Sequence, residues 1–400
     1  MNRILNTAWL GFLTTILLSS SACSSRNGAE IPATASEPAA PTTRAQANVP
    51  TNWPVFRGNA QATGVAESSL PDQPVLLWKF PVNKGEFDAT PVIVDDTVYI
   101  GDMDGAFYAL DLKSGEKRWK FDNPDDKTGF NTAAAVRDGL VYIGDLSGNF
   151  YCLDAKTGEK KWDAKADAEI NSAANFFGDH VLFGSQDATL YCLDAKTGEK
   201  RWDHKIGDQI RCSPTVIQGH CFLAGCDGKL HVIDLSNGEE TGSIEIEAPT
   251  GSTPAAVNER IYFGTEGATF FCLDWKTRQE LWRWQDKVRR LPIRSSAAVT
   301  ADAVVFGGHD KIVHAINPKN GEPLWNFVTK GPVDGSPVIV DNRVFVGSAD
   351  GRIYGLDLKT GNEVWKYEAG GKIIGSPAVA SGRLLIASND GVVYCFGEKR

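Results

Sequence analysis

Positive charge is in short supply in this chain: 41 Lys and Arg stand against 50 Asp and Glu, a net charge of −9. Nucleic acids and anionic membrane surfaces attract cationic proteins. No basic block or aromatic-basic stripe offsets the deficit, so neither partner is expected. Long apolar runs are also missing. Beyond the N-terminus nothing approaches the ~20 residues a membrane helix needs, so membrane attachment is expected only through a lipid. Catalytic motifs are missing too. The 6 His are scattered, with no i, i+4 pair on a plausible helix. There is no Cys-x-x-Cys-His haem site, no His-Glu-x-x-His zinc site and no Gly-rich phosphate loop. Nothing sets a nucleophile beside a base and an orienting acid. Asp102-Met103-Asp104-Gly105 hints at calcium, but it lacks the rest of a calcium-binding loop and falls where a turn is expected. These patterns point to no catalytic residue, metal site or cofactor.

What is present begins with an export signal over residues 1–22. Arg3 is its one positive charge, an apolar run follows from Ala8 to Leu18, and Ser19, Ser20, Ser21 and Ala22 precede Cys23. The run is too short to span a bilayer, and the small residues suit a signal peptidase. Ser-Ser-Ala-Cys is similar to a bacterial lipobox, whose Cys becomes the lipid-modified first residue, although Ser20 stands where Leu is usual. Lipidation of Cys23 is the favoured reading; cleavage after Ala22 with a free Cys23 thiol is the alternative. Residues 23–50 favour the first. They form an Ala, Pro, Ser and Thr linker with almost no large apolar side chain, as a tethered domain requires. Residues 51–74 are an extension expected to pack on the domain that fills 75–400.

At 400 residues the chain is too long for one ordinary core, so it divides or repeats a unit. It repeats. Clear copies are Tyr108-Ala-Leu-Asp111-Leu-Lys-Ser-Gly115-Glu-Lys-Arg-Trp119, Tyr151-Cys-Leu-Asp154-Ala-Lys-Thr-Gly158-Glu-Lys-Lys-Trp162 and Tyr354-Gly-Leu-Asp357-Leu-Lys-Thr-Gly361-Asn-Glu-Val-Trp365. The anchors Asp111, Asp154, Asp194, Asp234, Asp274, Asn317, Asp357 and Gly397 lie 40 or 43 residues apart. A period of about 40–45 residues with four short strands per unit belongs to a propeller blade. In the first unit the strands are expected at Thr90–Val94, Thr97–Gly101, Ala106–Leu110 and Lys117–Phe121. They are rich in Val, Ile, Tyr and Phe and are separated by Asp-Asp, Asp-Gly and Ser-Gly turns. The fold class is therefore all-β: an eight-bladed β-propeller of four-stranded antiparallel blades. The last strand of each unit carries a Trp, at Trp119, Trp162, Trp202, Trp282, Trp325 and Trp365, with Gly242 instead in the fourth. The eighth unit ends before that strand. The missing one exists at the other end of the chain, around Trp78, and would complete the last blade and leave no open edge. These Trp residues are expected to dock blade on blade rather than to cage a ligand.

Asp154 through Trp162 and Asp194 through Trp202 closely match an Ala-x-Asp-x-x-Thr-Gly-x-x-x-Trp docking motif, and on them residues 75–400 resemble the PQQ-like β-propeller repeat family. The resemblance is specific for fold and weak for function, since one fold hosts many activities. It implies two branches. Quinoprotein dehydrogenases hold PQQ and calcium and stack the quinone between a Trp and two adjacent cysteines, and no two cysteines are adjacent here. The other branch comprises non-enzymatic outer-membrane assembly lipoproteins of one eight-bladed propeller, which the length, signal and architecture resemble. Family members often carry a segment similar to Trp53-Pro-Val-Phe56-Arg57-Gly58. Here it is expected to pack Trp53 and Phe56 on the outside or end of the propeller; a partner contact is the sharper alternative.

Cys152, Cys192, Cys272 and Cys395 share one repeat slot with Ala109, Val232, Ala315 and Gly355, a small packing position, and on different blades they are too far apart to bridge. Cys212 begins and Cys226 ends a hairpin turning near Gln218-Gly219. Residues there summing to about 438 should face each other, so a Cys212–Cys226 disulfide is expected, with two free thiols as the alternative.

Counting 23 residues back from each anchor gives Asp88, Asn131, Asn171, Arg211, Gly251, Arg294, Asp334 and Ile374, which should ring one mouth of the central channel. In the family this face holds cofactor or partner. From Trp119 to Asn131 and from Trp282 to Arg294 there are 12 residues, against 9 or 10 elsewhere. Long loops therefore enter blades two and six on that face, opposite one another. The first is acidic, with Asp122, Asp125 and Asp126. The second carries Lys287, Arg289, Arg290 and Arg294 with Leu291-Pro292-Ile293, beside Trp284. Arg and aromatic residues dominate interface hot spots, so this loop is the expected partner anchor; a solvated loop is the bland reading. The leading expectation is a monomeric, protein-binding scaffold on the periplasmic side of the cell envelope, lipid-anchored to the outer membrane, with the barrel-assembly machinery as partner. A PQQ- and calcium-dependent oxidoreductase and a small-ligand or glycan sensor are the alternatives.

Overall fold

The computed structural model describes residues 51–83, 85–124 and 128–399. The signal, the linker, Cys23, Asp125 and Asp126 lie outside the described residues.

Blade one shows how the repeat makes strands. Its four strands are Val92–Val94, Thr97–Gly101, Ala106–Asp111 and Lys117–Asp122, counted from the channel outward. The second strand is buried throughout, because neighbouring blades cover both of its faces. The outer strand alternates, with Trp119 buried and Arg118 and Lys120 exposed, because one face meets solvent. The inner strand begins at Val92 rather than Thr90. Pro91 has no N–H to give a ladder, and Pro214, Pro254, Pro337 and Pro377 stand in the same place before four other inner strands.

Eight such four-stranded sheets are present among the described residues, and the inner strands of blades one and eight are neighbours, so the ring closes. The closing blade combines the two ends of the chain. Val75–Pro81 pairs antiparallel with Val392–Gly397, setting Trp78 opposite Cys395.

The tryptophans join blade to blade. The indole of Trp119 lies against Gly158 in the next blade's turn, where a Cβ would sit 2.6 Å from the ring, and its Nε1 donates to the Ala155 carbonyl at 2.9 Å. Gly158 holds a φ of 75°, so the glycine serves both the turn and the close approach. Trp78, Trp162, Trp282 and Trp325 repeat both contacts, on Gly115, Gly198, Gly321 and Gly361. Trp202 packs on Gly238, and Trp365 donates to the Pro74 carbonyl beside the closing strand.

Residues 51–68 lie inside the ring of inner strands, not on the outside. Trp53 pairs with Ile93 of blade one, and the Pro54 carbonyl accepts from Val136 of blade two. The Ala60 carbonyl accepts from Asn175 Nδ2 and Val216 N–H in blades three and four. Gln61, Thr63 and Gly64 carbonyls accept from Ala256, Val299 and Ile339 in blades five, six and seven. Thr51 and Ser68 bond Ser381 and Gly382 in blade eight. One segment thus touches every blade and plugs the channel.

The Cys212–Cys226 bridge is not formed; both thiols are free. The inner strand of blade four starts only at Thr215, after Pro214, and its register pairs Thr215 with Phe222 and Val216 with Cys221. That is one residue off the expected register, and extended it would set Cys212 opposite Gly225. The Cys212 thiol instead donates to the Ala224 carbonyl at 3.1 Å.

Candidate functional site

The plug leaves a blind cup at one mouth of the channel. All eight positions of the expected ring, from Asp88 round to Ile374, line this pocket of ≈170 Å³. Phe56 lines it too. Its ring is half-buried while Val55 and Arg57 on either side are buried, so the plug supplies the aromatic part of the cup.

Two residues beyond each ring position, six of the eight blades carry a hydroxyl: Thr90, Ser213, Thr253, Ser296, Ser336 and Ser376. Each oxygen accepts the backbone N–H of the preceding blade at 2.9–3.1 Å, from Ala173 N–H into Ser213 round to Ser376 N–H into Thr90. Blades two and three have Ala133 and Ala173 there instead. Above those two, Asn131 Nδ2 donates to Asn171 Oδ1 at 3.1 Å. The wall is therefore graded: the Asn pair tops blades two and three, where the inner hydroxyl is missing, and hydroxyls run from blade four round to Thr90 in blade one.

The charged rim residues are mostly engaged. Arg211 donates to Gln209 Oε1, Arg294 bridges Glu266 at 3.2 Å, and Asp334 meets His309 at 3.2 Å. Asp88 is the exception. Its Oδ1 is buried without a partner, as is Asn131 Oδ1. Burial, then the nearby Glu86 charge, raises the Asp88 pKa above the usual carboxylate range.

Below Phe56, Arg57 is fully buried. Its Nη2 donates to the carbonyls of Ala297 (3.1 Å) and Pro337, while Nε and Nη1 find no partner. Desolvation lowers its pKa to about 9, so it stays charged at neutral pH.

The long loop into blade six lies on the same face. Asp286 Oδ1 accepts from Val288 N–H and Arg289 N–H and shapes its start. Val288 is 88% exposed, the most exposed large hydrophobic side chain among the described residues, and Leu291, Arg289 and Arg290 are exposed beside it. Arg289 leans on the Asp310 carbonyl at 3.2 Å. Two expected members of the anchor lie elsewhere. Ile293 is buried against Gly264, and Trp284 packs on Phe306 and His314, so both fasten the loop to its blade rather than project from it.

Asp102 is fully used by its own turn. Its carboxylate accepts from Asp104 N–H, Ala106 N–H and Tyr108 O–H. Among the described residues no three His, Cys, Asp or Glu side chains cluster as metal ligands, and no helix is long and apolar enough to cross a membrane.

Closed ring, repeat motif and docking tryptophans together define an eight-bladed propeller of PQQ-like repeats. The family model described as outer membrane protein assembly factor BamB matches residues 72–182, 125–251, 186–336 and 309–399, and the chain belongs to that family. BamB from Moraxella catarrhalis superposes with a TM-score of 0.70 at 21% identity, covering 82% of this chain and 98% of that one. Quinohemoprotein alcohol dehydrogenase from Comamonas testosteroni gives 0.75 at 16% identity, covering 87% and 81%. The computationally designed Ika8 protein gives 0.71 at 19%, covering 81% and 99%. At these identities the likeness is one of fold. No curated protein matches the chain by sequence.

Proposed function

We propose that this chain is a non-enzymatic scaffold of the cell envelope, periplasmic and held at the outer membrane by a lipid on Cys23. It binds a protein of the barrel-assembly machinery and assists insertion of outer-membrane β-barrel proteins. The observation that carries this reading is the loop Asp286–Pro292. A rigid propeller presents Val288 and Leu291 to solvent, flanked by Arg289 and Arg290. Exposed apolar side chains ringed by arginine are the composition of an interface centre, not of an idle loop. Membership of the assembly-factor family supports the choice of partner.

The quinoprotein reading has the fold in its favour but not the residues. A planar quinone needs two flat surfaces, and Phe56 is the one aromatic lining the cup among the described residues. The seven cysteines of the described residues are spread over five blades, with Cys212, Cys221 and Cys226 all in blade four, and no two are adjacent in sequence.

The test is a photo-crosslinking residue at Val288 in living cells. A captured barrel-assembly component, lost when Arg289→Glu and Arg290→Glu are added, supports the proposal. A correctly located protein that captures none of those components rejects it.

A further inference from the structure

The cup has chemistry that the scaffold reading leaves unused. Its acceptors are concentrated on one side, where Asp88 Oδ1 and Asn131 Oδ1 on adjacent blades are buried and unpartnered. An unpaired buried acceptor costs free energy that a hydroxyl donor from a ligand would recover. The donors run round the rest of the ring, from Ser213 to Ser376, and meet the acceptors at blade one, where Thr90 stands two residues from Asp88. Each hydroxyl of the inner ring already accepts a backbone N–H, so its O–H is what remains to be given. The floor is a single aromatic ring, Phe56, of the kind that stacks on a C–H face. The rim cations and Asp334 are already engaged, so Asp88 is the one rim charge left, and a small cation is the competitor that the test includes. A ligand matching this wall must be small, uncharged, and able to donate on one edge and accept on the other.

We propose that the cup binds a single ring of a neutral polyol, a hexose or N-acetylhexosamine, with its hydroxyls on Asp88, Asn131 and the inner hydroxyl ring and one face on Phe56. The cavity of ≈170 Å³ admits one such ring, not a longer glycan lying flat. A free sugar and the terminal unit of a glycan chain share this chemistry.

The test is saturation-transfer NMR on the folded protein with glucose, N-acetylglucosamine, a tetrasaccharide of N-acetylglucosamine and ethylammonium, each at millimolar concentration. Transfer to the monosaccharides, weakened about tenfold in Asn131→Ala and in the separate Ser336→Ala/Ser376→Ala variant, supports the site. Both variants must keep the native melting temperature within a few degrees; Thr90→Ala replaces whichever does not. Stronger transfer to the tetrasaccharide identifies a chain end as the source, and equal transfer a free sugar. No transfer to any sugar, transfer unchanged in the variants, or preferential binding of ethylammonium overturns the proposal.

Discussion

Gly242 and Arg278 have exchanged roles across the boundary between blades four and five. At six other boundaries a Trp of one blade lies on the glycine of the next blade's turn; here glycine takes the Trp position and arginine the glycine position. The guanidinium fills the space of the absent indole. A Cβ on Gly242 would sit 2.5 Å from Arg278 Cζ, and Arg278 Nη2 donates to the Thr241 carbonyl. Arg278 keeps the left-handed turn at φ 58°, which costs a non-glycine residue roughly 1–2 kcal/mol.

The exchange predicts strong coupling. Gly242→Trp alone should destabilise by about 1–3 kcal/mol, because the indole meets the guanidinium. Adding Arg278→Gly should recover that loss and leave a protein at least as stable as the native one. Chemical denaturation of the four variants measures the coupling; additive effects would reject the exchange.

The ordinary dock should be worth more than its hydrogen bond. Trp119→Ala, at a buried ring, is expected to cost about 3–5 kcal/mol. Trp119→Phe keeps most of the contact with Gly158 and should lose the smaller part, with the Ala155 hydrogen bond worth about 1 kcal/mol. Equal losses would mean that the indole N–H, not the packing, holds the blades.

Much of this architecture was legible because repetition exposes it. The 40- or 43-residue spacing gave the blades, the Trp series gave the outer strands, and counting back from Asp111 and its equivalents gave a ring that lines one cup. What repeats nowhere was not legible in the same way. The plug around Trp53 has no second copy for comparison, and its bonds run to inner strands up to hundreds of residues away. The hydroxyl ring did carry a signal, Thr or Ser two places past the ring position in six units, but its meaning depends on neighbouring blades meeting edge to edge. The Cys212–Cys226 expectation failed on one residue of register, which Pro214 and the start at Thr215 decide.

The thiols offer a direct check on that register. Burial pushes the Cys212 thiol up to about 12, and Cys152, Cys192, Cys272 and Cys395 equally to about 12. Cys226 is only half-buried. With Cys221, also buried and raised, the described cysteines number seven; Cys226 should label first in the native protein, and all seven in denaturant. Prior reduction should add none; an added pair mapping to Cys212 and Cys226 would restore the bridge.

Acid should loosen the blade turns. Arg118, with Ser114, holds Asp111 down at about 2, and Asp154, Asp194, Asp274 and Asp357 are lowered by their own turn or outer-strand partners. An unfolded Asp titrates near ~3.9, so these carboxylates stabilise the fold above that pH and cease to as pH falls toward about 2. Buried Asp88 and Asp102 are raised and act in the opposite sense. Melting temperature should fall between pH ~4 and ~2, and Asp111→Asn should make that fall shallower. A slope unchanged in the variant would remove the turn carboxylates from the explanation.

The plug rests on a contact that one methyl group can test. Gly64 holds φ 66° over the Arg57 guanidinium, and a Cβ there would lie 1.8 Å from Nη2. Gly64→Ala should therefore cost about 2–4 kcal/mol, part from the left-handed backbone and part from displacing Arg57 off the Ala297 and Pro337 carbonyls. In an Arg57→Ala background the steric part disappears, and the same substitution should cost only the backbone part, about 1 kcal/mol. If Gly64→Ala costs as much without Arg57 as with it, the guanidinium does not fasten the segment across the channel, and the hydrogen bonds from the inner strands must hold the plug by themselves.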